Sequence, residues 1–427
     1  MAQAPYEPHP NTQNATRAAN TRKRNNRQMN TQQARYKVLG AGIASLMLVL
    51  GIARFAYTPL LPLMQQQAGL GVAEAGGLAA INYAGYLSGA LIASLISDLA
   101  LKDKLYRIGM VVAVASTLLM GMTTDLTLWA VSRFFAGLSS AAGMLLGTGL
   151  ILNWLIRHGH RSELGIHFTG VGIGIVACSA AIAGTSLTLN WQQQWLTLAG
   201  MGCVLLIPAL RWLPPPDSSG MTTTGQALTD HPPSPLFLRI FMAAYGCAGA
   251  GYVVSATFIV AIVDRLPNMA GKGTLIFLVI GIGAAPACVV WDFIARRTGA
   301  LNALILAAIV QIVGILLPVM GGGLVAALLG ALLFGGTFVG MVSLVLTMAG
   351  RYYPTRPAKM MGKMTLSYGI AQMIAPAITG WLATRASGSY TVGLYFAAMV
   401  MGIGVVLLVL LKGIAKRDRA LAMLATD

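Results

Sequence analysis

Charged residues are scarce in this chain of 427 residues. Lys, Arg, Asp and Glu together make up only 10% of it, whereas hydrophobic residues make up 56% and the mean hydropathy is +0.71. Soluble proteins carry charge on roughly a quarter of their residues, because a surface in water needs it. The composition therefore excludes a soluble enzyme and indicates an integral membrane protein.

Cysteines are also few, and none lies in a CxxC motif or at metal-ligand spacing from a histidine. We interpret them as small buried hydrophobic residues, so we expect neither a disulfide framework nor a metal site, and no cofactor. The four are Cys178, Cys203, Cys247 and Cys288.

Acidic residues are scarcer than basic ones, since 12 Asp and Glu face 29 Lys and Arg and the formal net charge is +17. A nucleic-acid-binding protein would gather its basic residues in one groove, but here they are scattered at the ends of apolar segments. We therefore expect no nucleic-acid partner. The excess of basic residues instead suits the rule that orients membrane proteins.

Long apolar segments fill most of the chain. A helix of about 20 apolar residues crosses the hydrocarbon core of a bilayer, and these segments lack the alternation that a barrel strand requires. The sequence predicts an all-α membrane protein with twelve transmembrane helices, at residues 37–64, 74–97, 105–123, 126–156, 164–189, 194–213, 237–263, 273–295, 300–320, 323–350, 360–384 and 389–412.

The distribution of Lys and Arg predicts the orientation. If the N-terminus is cytoplasmic, the even-numbered connections and both ends of the chain are cytoplasmic, and they carry most of the basic residues. The opposite side carries few, namely Arg265, Lys272 and Arg385. The positive-inside rule thus predicts a multi-pass protein of the cytoplasmic (inner) membrane with both termini cytoplasmic.

Polar segments divide the chain into domains. Residues 1–35 have no apolar face to bury, which predicts a disordered basic cytoplasmic tail. Its basic residues can contact anionic membrane lipids, and the alternative is a solvated tail that only keeps the N-terminus inside. The polar cytoplasmic loop 214–236 separates an N-terminal six-helix bundle at 36–213 from a C-terminal one at 237–413, and 414–427 forms a second cytoplasmic tail.

The two bundles show a weak internal repeat. Phe135-Ala136-Gly137 in the fourth predicted helix is similar to Phe334-Gly335-Gly336 in the tenth. Such repeats produce two six-helix halves with a binding site between them near the membrane midplane. We expect this self-contained bundle to be a monomer.

Arg54 is the most informative residue, because it lies near the midpoint of the first predicted helix and that helix has no acidic residue. An arginine at such depth costs at least about 2.5 to 3.5 kcal/mol on insertion scales, so it should face an aqueous cavity or an anion. We expect it to bind substrate or to couple transport. The alternative is a structural role in which it bonds to helix carbonyls across the bundle.

Other polar residues are weaker candidates for the same site. Arg133 lies nearer a helix end, where its side chain can also reach the interface. His167 is expected to be solvated at the interface. The remaining candidates suit an interhelical hydrogen bond as well as a substrate contact, and they are Asn82, Tyr83, Tyr86, Tyr252, Tyr368 and Gln372.

The chain, except for its N-terminal tail, resembles the major facilitator superfamily of secondary transporters. Arg133, Gly137 and Ala141 match the fourth-helix pattern of that superfamily. More narrowly, the segments GIARFAYTPLLPLM, YGCAGAGYVVSATF, VVWDFIARR and FGGTFVGM are similar to its YbfB/YjiJ-like branch. The resemblance implies the two-bundle fold and a transport function, and it leaves the cargo open.

Two charged segments resemble the cytoplasmic gating motif of that superfamily. In the first half the motif is represented by Asp103 and Arg107, with Asp98 as an alternative acidic residue. In the second half a degenerate copy contains Asp292, Arg296 and Arg297. The resemblance implies that these residues form charge contacts that favour the state closed to the cytoplasm.

Three functions compete at this point. A secondary transporter needs no nucleotide, and the sequence has no GxxxxGK[ST] motif. An intramembrane enzyme would need a catalytic set at membrane depth, but the acidic residues lie at helix edges. A non-transporting sensor or scaffold would favour a soluble signalling domain. We therefore expect a transporter and no enzyme.

The charge of the cargo follows from the two helix-embedded arginines. A cavity with Arg54 and Arg133 and no acidic residue at a helix centre has a positive potential, which attracts anions. We expect a small organic anion as the substrate. The alternative is proton-coupled efflux of drugs, sugars or other metabolites.

Overall fold

The computed structural model describes residues 32–161, 164–185, 188–217, 227–264, 273–320, 323–385 and 391–424. Nearly all of these residues are helical, which confirms the predicted fold class. The helices are α1 (Gln32–Leu61, continuing as a helix to Ala68), α2 (Val72–Leu95), α3 (Leu99–Met122), α4 (Leu126–Arg157), α5 (Gly165–Thr185), α6 (Trp191–Arg211), α7 (Pro235–Asp264), α8 (Gly273–Thr298), α9 (Ala300–Met320), α10 (Leu324–Tyr352), α11 (Pro357–Arg385) and α12 (Thr391–Leu424).

Eleven helices in the described ranges are long and apolar enough to cross a membrane. The remaining helix, α11, carries Lys359 and Lys363 near its start, and these two charges lower its hydropathy. The chain is a multi-pass membrane protein.

Parts of the two predicted tails are helical in the structure. Helix α1 begins at Gln32, so residues 32–35 of the predicted disordered tail are helical, while 1–31 lie outside the described residues. Helix α12 continues past residue 413 to Leu424. Both extensions are rich in Ala, Lys, Arg and Gln, which have high helix propensity. In the predicted loop 214–236, residues 218–226 lie outside the described part.

The helices form two halves, α1–α6 and α7–α12. Between the halves, α2 packs against α11 and α5 packs against α8. Small residues allow these contacts. A Cβ atom at Gly172 of α5 would overlap the backbone of Ala285 in α8, and one at Gly362 of α11 would overlap Ser94 in α2. Since lipid is as apolar as the helices, such close backbone packing drives their association.

Two side-chain hydrogen bonds join the halves at one end of the bundle. We call this the terminal end, because α1 begins there and α12 finishes there. The side-chain amide of Asn153 donates to the carbonyl of Pro354 at 3.3 Å, and Lys359 Nζ donates to Ser97 Oγ at 3.3 Å. Each bond joins one half to the other, so the described contacts close the terminal end.

Candidate functional site

A cavity lies between the two halves beside the middle of α1. It consists of two adjoining pockets of about 50 and 90 Å³, and both are bordered by Arg54, Phe55, Tyr252 and Phe338. We call the two together the central cavity. The other predicted site residues on its walls are Asn82, Tyr83, Tyr86, Arg133, Tyr368 and Gln372. The structure thus brings together every residue that the sequence proposed for substrate binding or coupling.

Part of α1 has π-helical geometry, over Met47–Phe55, and this stretch carries Arg54. A π-helical turn changes the backbone pairing, and such turns are frequent at functional sites. Side chains of α4 bond the carbonyls of this stretch. Arg133 donates to the carbonyls of Ala53 at 3.0 Å and Arg54 at 3.3 Å. Helix α4 thereby fixes the backbone from which the Arg54 side chain projects.

Arg54 is buried, with 8% of its surface exposed, and aromatic rings surround its guanidinium. The Cζ atom lies 4.4 Å from the ring centroid of Tyr86, 4.9 Å from that of Tyr83 and 5.8 Å from that of Phe55. The negative faces of such rings attract a cation. No carboxylate in the described parts of the chain forms an ion pair with Arg54. Its charge is therefore held by rings and is not cancelled.

Arg133 occupies a different position. It is 3% exposed, its Cζ lies 4.6 Å from the Tyr57 ring centroid, and it bonds the α1 carbonyls. Arg133 thus has the structural role that we considered as the alternative for Arg54, in which the side chain bonds to helix carbonyls. Asn82 joins the same network, because its side-chain nitrogen donates to the carbonyl of Arg133 at 2.8 Å. Both residues bond helix backbones.

The second half contributes a wall of stacked rings to the central cavity. Ring centroids are 4.6 Å apart for Tyr245 and Tyr368, 5.9 Å for Tyr368 and Tyr252, and 5.1 Å for Tyr252 and Phe338. The planes of each pair lie within 29° of one another. We call these four residues the aromatic wall. It offers flat apolar surface with hydroxyl groups at the ring edges.

Gln372 adds an unused acceptor to the cavity. Its side chain is 4% exposed, it lies on the cavity wall, and its Oε1 atom has no hydrogen-bond partner in the described structure. A buried polar atom without a partner costs about 1 to 3 kcal/mol. This cost is removed when a substrate or a water molecule donates to Gln372.

Asp103 and Arg107 meet as predicted, but within one half. Arg107 Nε donates to Asp103 Oδ2 at 2.8 Å. The same guanidinium donates to the carbonyls of Leu210 at 2.9 Å and Leu213 at 3.0 Å, near the end of α6. This pair therefore fastens α3 to α6 and does not join the two halves.

Asp292, unlike Asp103, makes a contact between the halves. Its Oδ2 accepts a hydrogen bond of 2.5 Å from the backbone N–H of Gly165, the first residue of α5. A carboxylate at a helix N-terminus is stabilised by the free N–H groups and the helix dipole. Arg297 and Arg296 lie over the ring of Phe293, with Cζ at 4.1 and 5.8 Å from its centroid.

His167 is not solvated, so that expectation was wrong. It is fully buried, and its Nε2 lies 2.9 Å from Thr148 Oγ1. The missing side chain of Gly42 in α1 leaves the space for the imidazole, since a Cβ atom there would overlap the ring. The partner residue is far away in the sequence, and an isolated helix pattern does not reveal it.

Phe55 and Phe338 also line the central cavity, which the sequence did not predict. Phe334 and Phe338 lie four residues apart, and Tyr245 and Tyr252 lie seven apart, so each pair shares one helix face. This spacing was the available signal for an aromatic surface.

Comparison with known proteins supports the fold and the class of the chain. A sequence model of the family described as "Uncharacterised MFS-type transporter YbfB" matches residues 46–409. A curated protein of Schizosaccharomyces pombe, described as "Uncharacterized transporter mfc1", is 27% identical over 125 residues. That match covers 29% of this chain and 25% of the yeast protein, so it spans about a quarter of that relative's length.

Solved structures of similar fold cover most of this chain. The human organic anion transporter MFSD10 (TETRAN) has a TM-score of 0.66 and 16% identity, with 88% of this chain and 99% of that one covered. A variant of the nucleoside transporter NupG has a TM-score of 0.60 and 13% identity, with the same coverage. At these identities the likeness concerns the fold alone.

Proposed function

This chain belongs to the family described as MFS-type transporter YbfB, and from that premise we propose that it is a secondary active transporter of a small organic anion. It moves the anion across the cytoplasmic membrane by alternating access. The observation that carries the proposal is the uncancelled charge of Arg54 in the central cavity.

An anion supplies the charge that the cavity lacks. No Asp or Glu lies on the described walls of the central cavity, while Arg54 and Arg133 both do. In surroundings of low dielectric constant the attraction between opposite charges is much stronger than in water. A guanidinium also holds a carboxylate through two parallel hydrogen bonds.

The aromatic wall suggests the shape of the anion. Ring pairs contribute about 0.5 to 1.5 kcal/mol beyond the area they bury. A carboxylate on a flat ring would place its charge on Arg54 and its ring against Tyr252 and Phe338. Gln372 would then accept a hydrogen bond from a polar substituent of the substrate.

The closed terminal end fits one stage of alternating access. Contacts between halves such as Asn153 with Pro354 lie at that end, whereas the cavity extends past Tyr57 and Thr58 toward the other. The positive-inside rule assigns the terminal end to the cytoplasm. The structure then represents the stage of the transport cycle in which the cavity is closed to the cytoplasm. We propose that the protein works in this membrane as a monomer among lipids, with Asp292 as a gating residue.

A second candidate is proton-coupled efflux of drugs. The aromatic wall favours it, because stacked tyrosine and phenylalanine rings also attract lipophilic cations. Sugars and other metabolites belong to the same alternative if Arg54 only donates hydrogen bonds. The charge preference of the cavity separates these candidates.

The test is transport by purified protein in liposomes of three matched compounds, benzoate, benzamide and benzylamine. We expect uptake or exchange of the carboxylate only, and we expect Arg54→Ala to abolish it. Arg385→Ala serves as the matched control, because Arg385 lies over Trp381 away from the cavity. Equal or better transport of benzylamine would replace the anion proposal with the efflux alternative.

A further inference from the structure

A separate cavity of about 240 Å³ lies at the terminal end, apart from the central one. Its walls come from the start of α7, the α10–α11 connection and the start of α11. Three of the six residues are basic, and we call the cavity the basic pocket. It is bordered by Leu238, Tyr353, Arg356, Lys359, Met360 and Lys363.

The nearest described carboxylate cancels little of this charge. Asp230 lies beside the pocket, but its carboxylate already accepts bonds from the backbone N–H of Thr355 at 3.1 Å and the Thr355 hydroxyl at 2.7 Å. Arg356 Nη2 lies 3.9 Å from Asp230 Oδ2, which is too long for a hydrogen bond. Arg356 therefore keeps most of its capacity to donate.

The two lysines also lack an anionic partner. Lys359 donates to the neutral hydroxyl of Ser97 at 3.3 Å, and Lys363 is exposed with no ion pair among the described residues. The two lie four residues apart on α11, where like charges repel. The N-terminus of α11 adds the positive end of a helix dipole. The pocket is therefore a strongly positive site, and among the described residues its one ion pair is the long contact of Arg356 with Asp230.

A buried lysine of the other half faces the same charges. Lys102 of α3 is fully buried, and its Nζ has no hydrogen-bond partner in the described structure. The charges that act on it include Lys359 and Arg356. The nearby carboxylate, Asp98, accepts bonds from two backbone N–H groups at the start of α3. The positive charges of Lys359 and Arg356 in one half thus act against the charge of Lys102 in the other half.

We propose that the basic pocket binds a phosphate group. Arg356 donates in the planar geometry that matches a phosphate, and Lys359 and Lys363 add two compact charges. Leu238 and Met360 give the pocket an apolar side, which suits the headgroup of an anionic phospholipid in the leaflet at the terminal end. Free phosphate has the same chemistry and is the other source.

Binding would change the contact between the halves. A phosphate held by Arg356 and Lys359 cancels charge that repels Lys102. It thereby stabilises the closed terminal end, which the Lys359 to Ser97 bond already favours. Bound phosphate would shift the population toward the state that this structure represents.

The test measures thermal unfolding of the full chain in nanodiscs of phosphatidylcholine, with or without phosphatidylglycerol. A parallel series adds inorganic phosphate or chloride at equal ionic strength. The double variant carries both Lys359→Gln and Lys363→Gln. The single variant carries Lys363→Gln alone, because the Lys363 side chain makes no described contact that its removal would break. Lys412→Gln is the matched control, since Lys412 is an exposed lysine of α12 at the same end.

We expect phosphatidylglycerol to raise the unfolding temperature of the natural chain and of Lys412→Gln, and the double variant to lose most of that shift. Lipid affinity, measured by native mass spectrometry, should fall about fivefold for each lysine removed. An equal shift with inorganic phosphate would identify free phosphate as the source. The proposal would be overturned if Lys412→Gln lost as much of the shift in unfolding temperature as the double variant. It would also be overturned if neither phosphatidylglycerol nor inorganic phosphate raised the unfolding temperature of the natural chain.

Discussion

Arg133 donates a hydrogen bond of 3.3 Å to the backbone carbonyl of Arg54, so one arginine within the membrane holds the backbone of the other. The two side chains have different surroundings. The Arg133 side chain donates hydrogen bonds to carbonyls of α1. The Arg54 guanidinium instead lies among the rings of Tyr83 and Tyr86 at the edge of the cavity. We infer that Arg133 positions the site and that Arg54 acts on the substrate.

The first prediction concerns Arg54. Arg54→Ala should fold normally, because Arg54 forms no ion pair among the described residues, but it should lose transport because the charge that attracts the anion is removed. Arg54→Lys keeps the charge and should retain weak transport. The measurements are thermal unfolding and uptake into liposomes. A failure of Arg54→Ala to fold, with full rescue by lysine, would assign Arg54 a structural role.

The second prediction concerns Arg133. Arg133→Ala should lower the free energy of unfolding by about 1 to 3 kcal/mol, because buried carbonyls of α1 lose their donor. Arg133→Lys should not restore it, since one ammonium group cannot reproduce the planar pair of donors. Thermal unfolding measures both changes, with Arg385→Ala as control. Full stability of Arg133→Ala together with lost transport would instead make Arg133 a substrate ligand.

The third prediction separates Asp103 and Asp292, the two acidic residues for which we proposed a gating role. Asp292→Asn weakens the bond to the Gly165 N–H and the charge–dipole attraction, worth about 0.3 to 2 kcal/mol, so the terminal end should open more often. Asp103→Asn should lower stability without opening it, because its partner Arg107 fastens α3 to α6.

This difference can be measured with a thiol probe. Met144→Cys on the cavity wall, in a chain without its natural cysteines, is labelled by a reagent that enters from the terminal end. We expect faster labelling with Asp292→Asn and an unchanged rate with Asp103→Asn. An unchanged labelling rate in both variants would show that neither Asp292 nor Asp103 controls the opening of the terminal end.

The sequence predicted the helices and the place of Arg54 because both depend on local quantities, namely apolar length and depth in a helix. It did not predict the roles of partners that are distant in the chain. The bond from Gly165 to Asp292 forms only in the packed bundle. The same is true of the space that Gly42 leaves for His167. The π-helical stretch around Arg54 has no signature in the residue pattern, because side chains of α4 stabilise it.

The fourth prediction concerns the packing between halves. Gly172→Ala should destabilise the protein by about 1 to 3 kcal/mol, because the added methyl group overlaps the backbone of Ala285. Gly200→Ala is the matched control, since a Cβ atom there meets nothing within 4 Å. Thermal unfolding should show a decrease for the first variant only. Equal stability of the two would mean that α5 and α8 can separate at no cost.

The last prediction tests the aromatic wall. Tyr252 stacks on both Phe338 and Tyr368, with centroids at 5.1 and 5.9 Å, and it borders both pockets of the central cavity. Tyr252→Phe keeps the ring and should bind benzoate nearly as well as the natural chain does. Tyr252→Leu keeps apolar volume but removes the ring.

The comparison that isolates ring stacking uses two acids of equal charge, benzoate and cyclohexanecarboxylate. A lost ring contact of about 0.5 to 1.5 kcal/mol corresponds to a decrease in benzoate affinity of about 2- to 12-fold. Cyclohexanecarboxylate should lose much less, because a saturated ring has no flat face to stack. Competition for uptake measures both affinities. Equal losses for the two acids would show that Tyr252 supplies only apolar area, and the preference for a flat ring would then be wrong while the anion proposal stands.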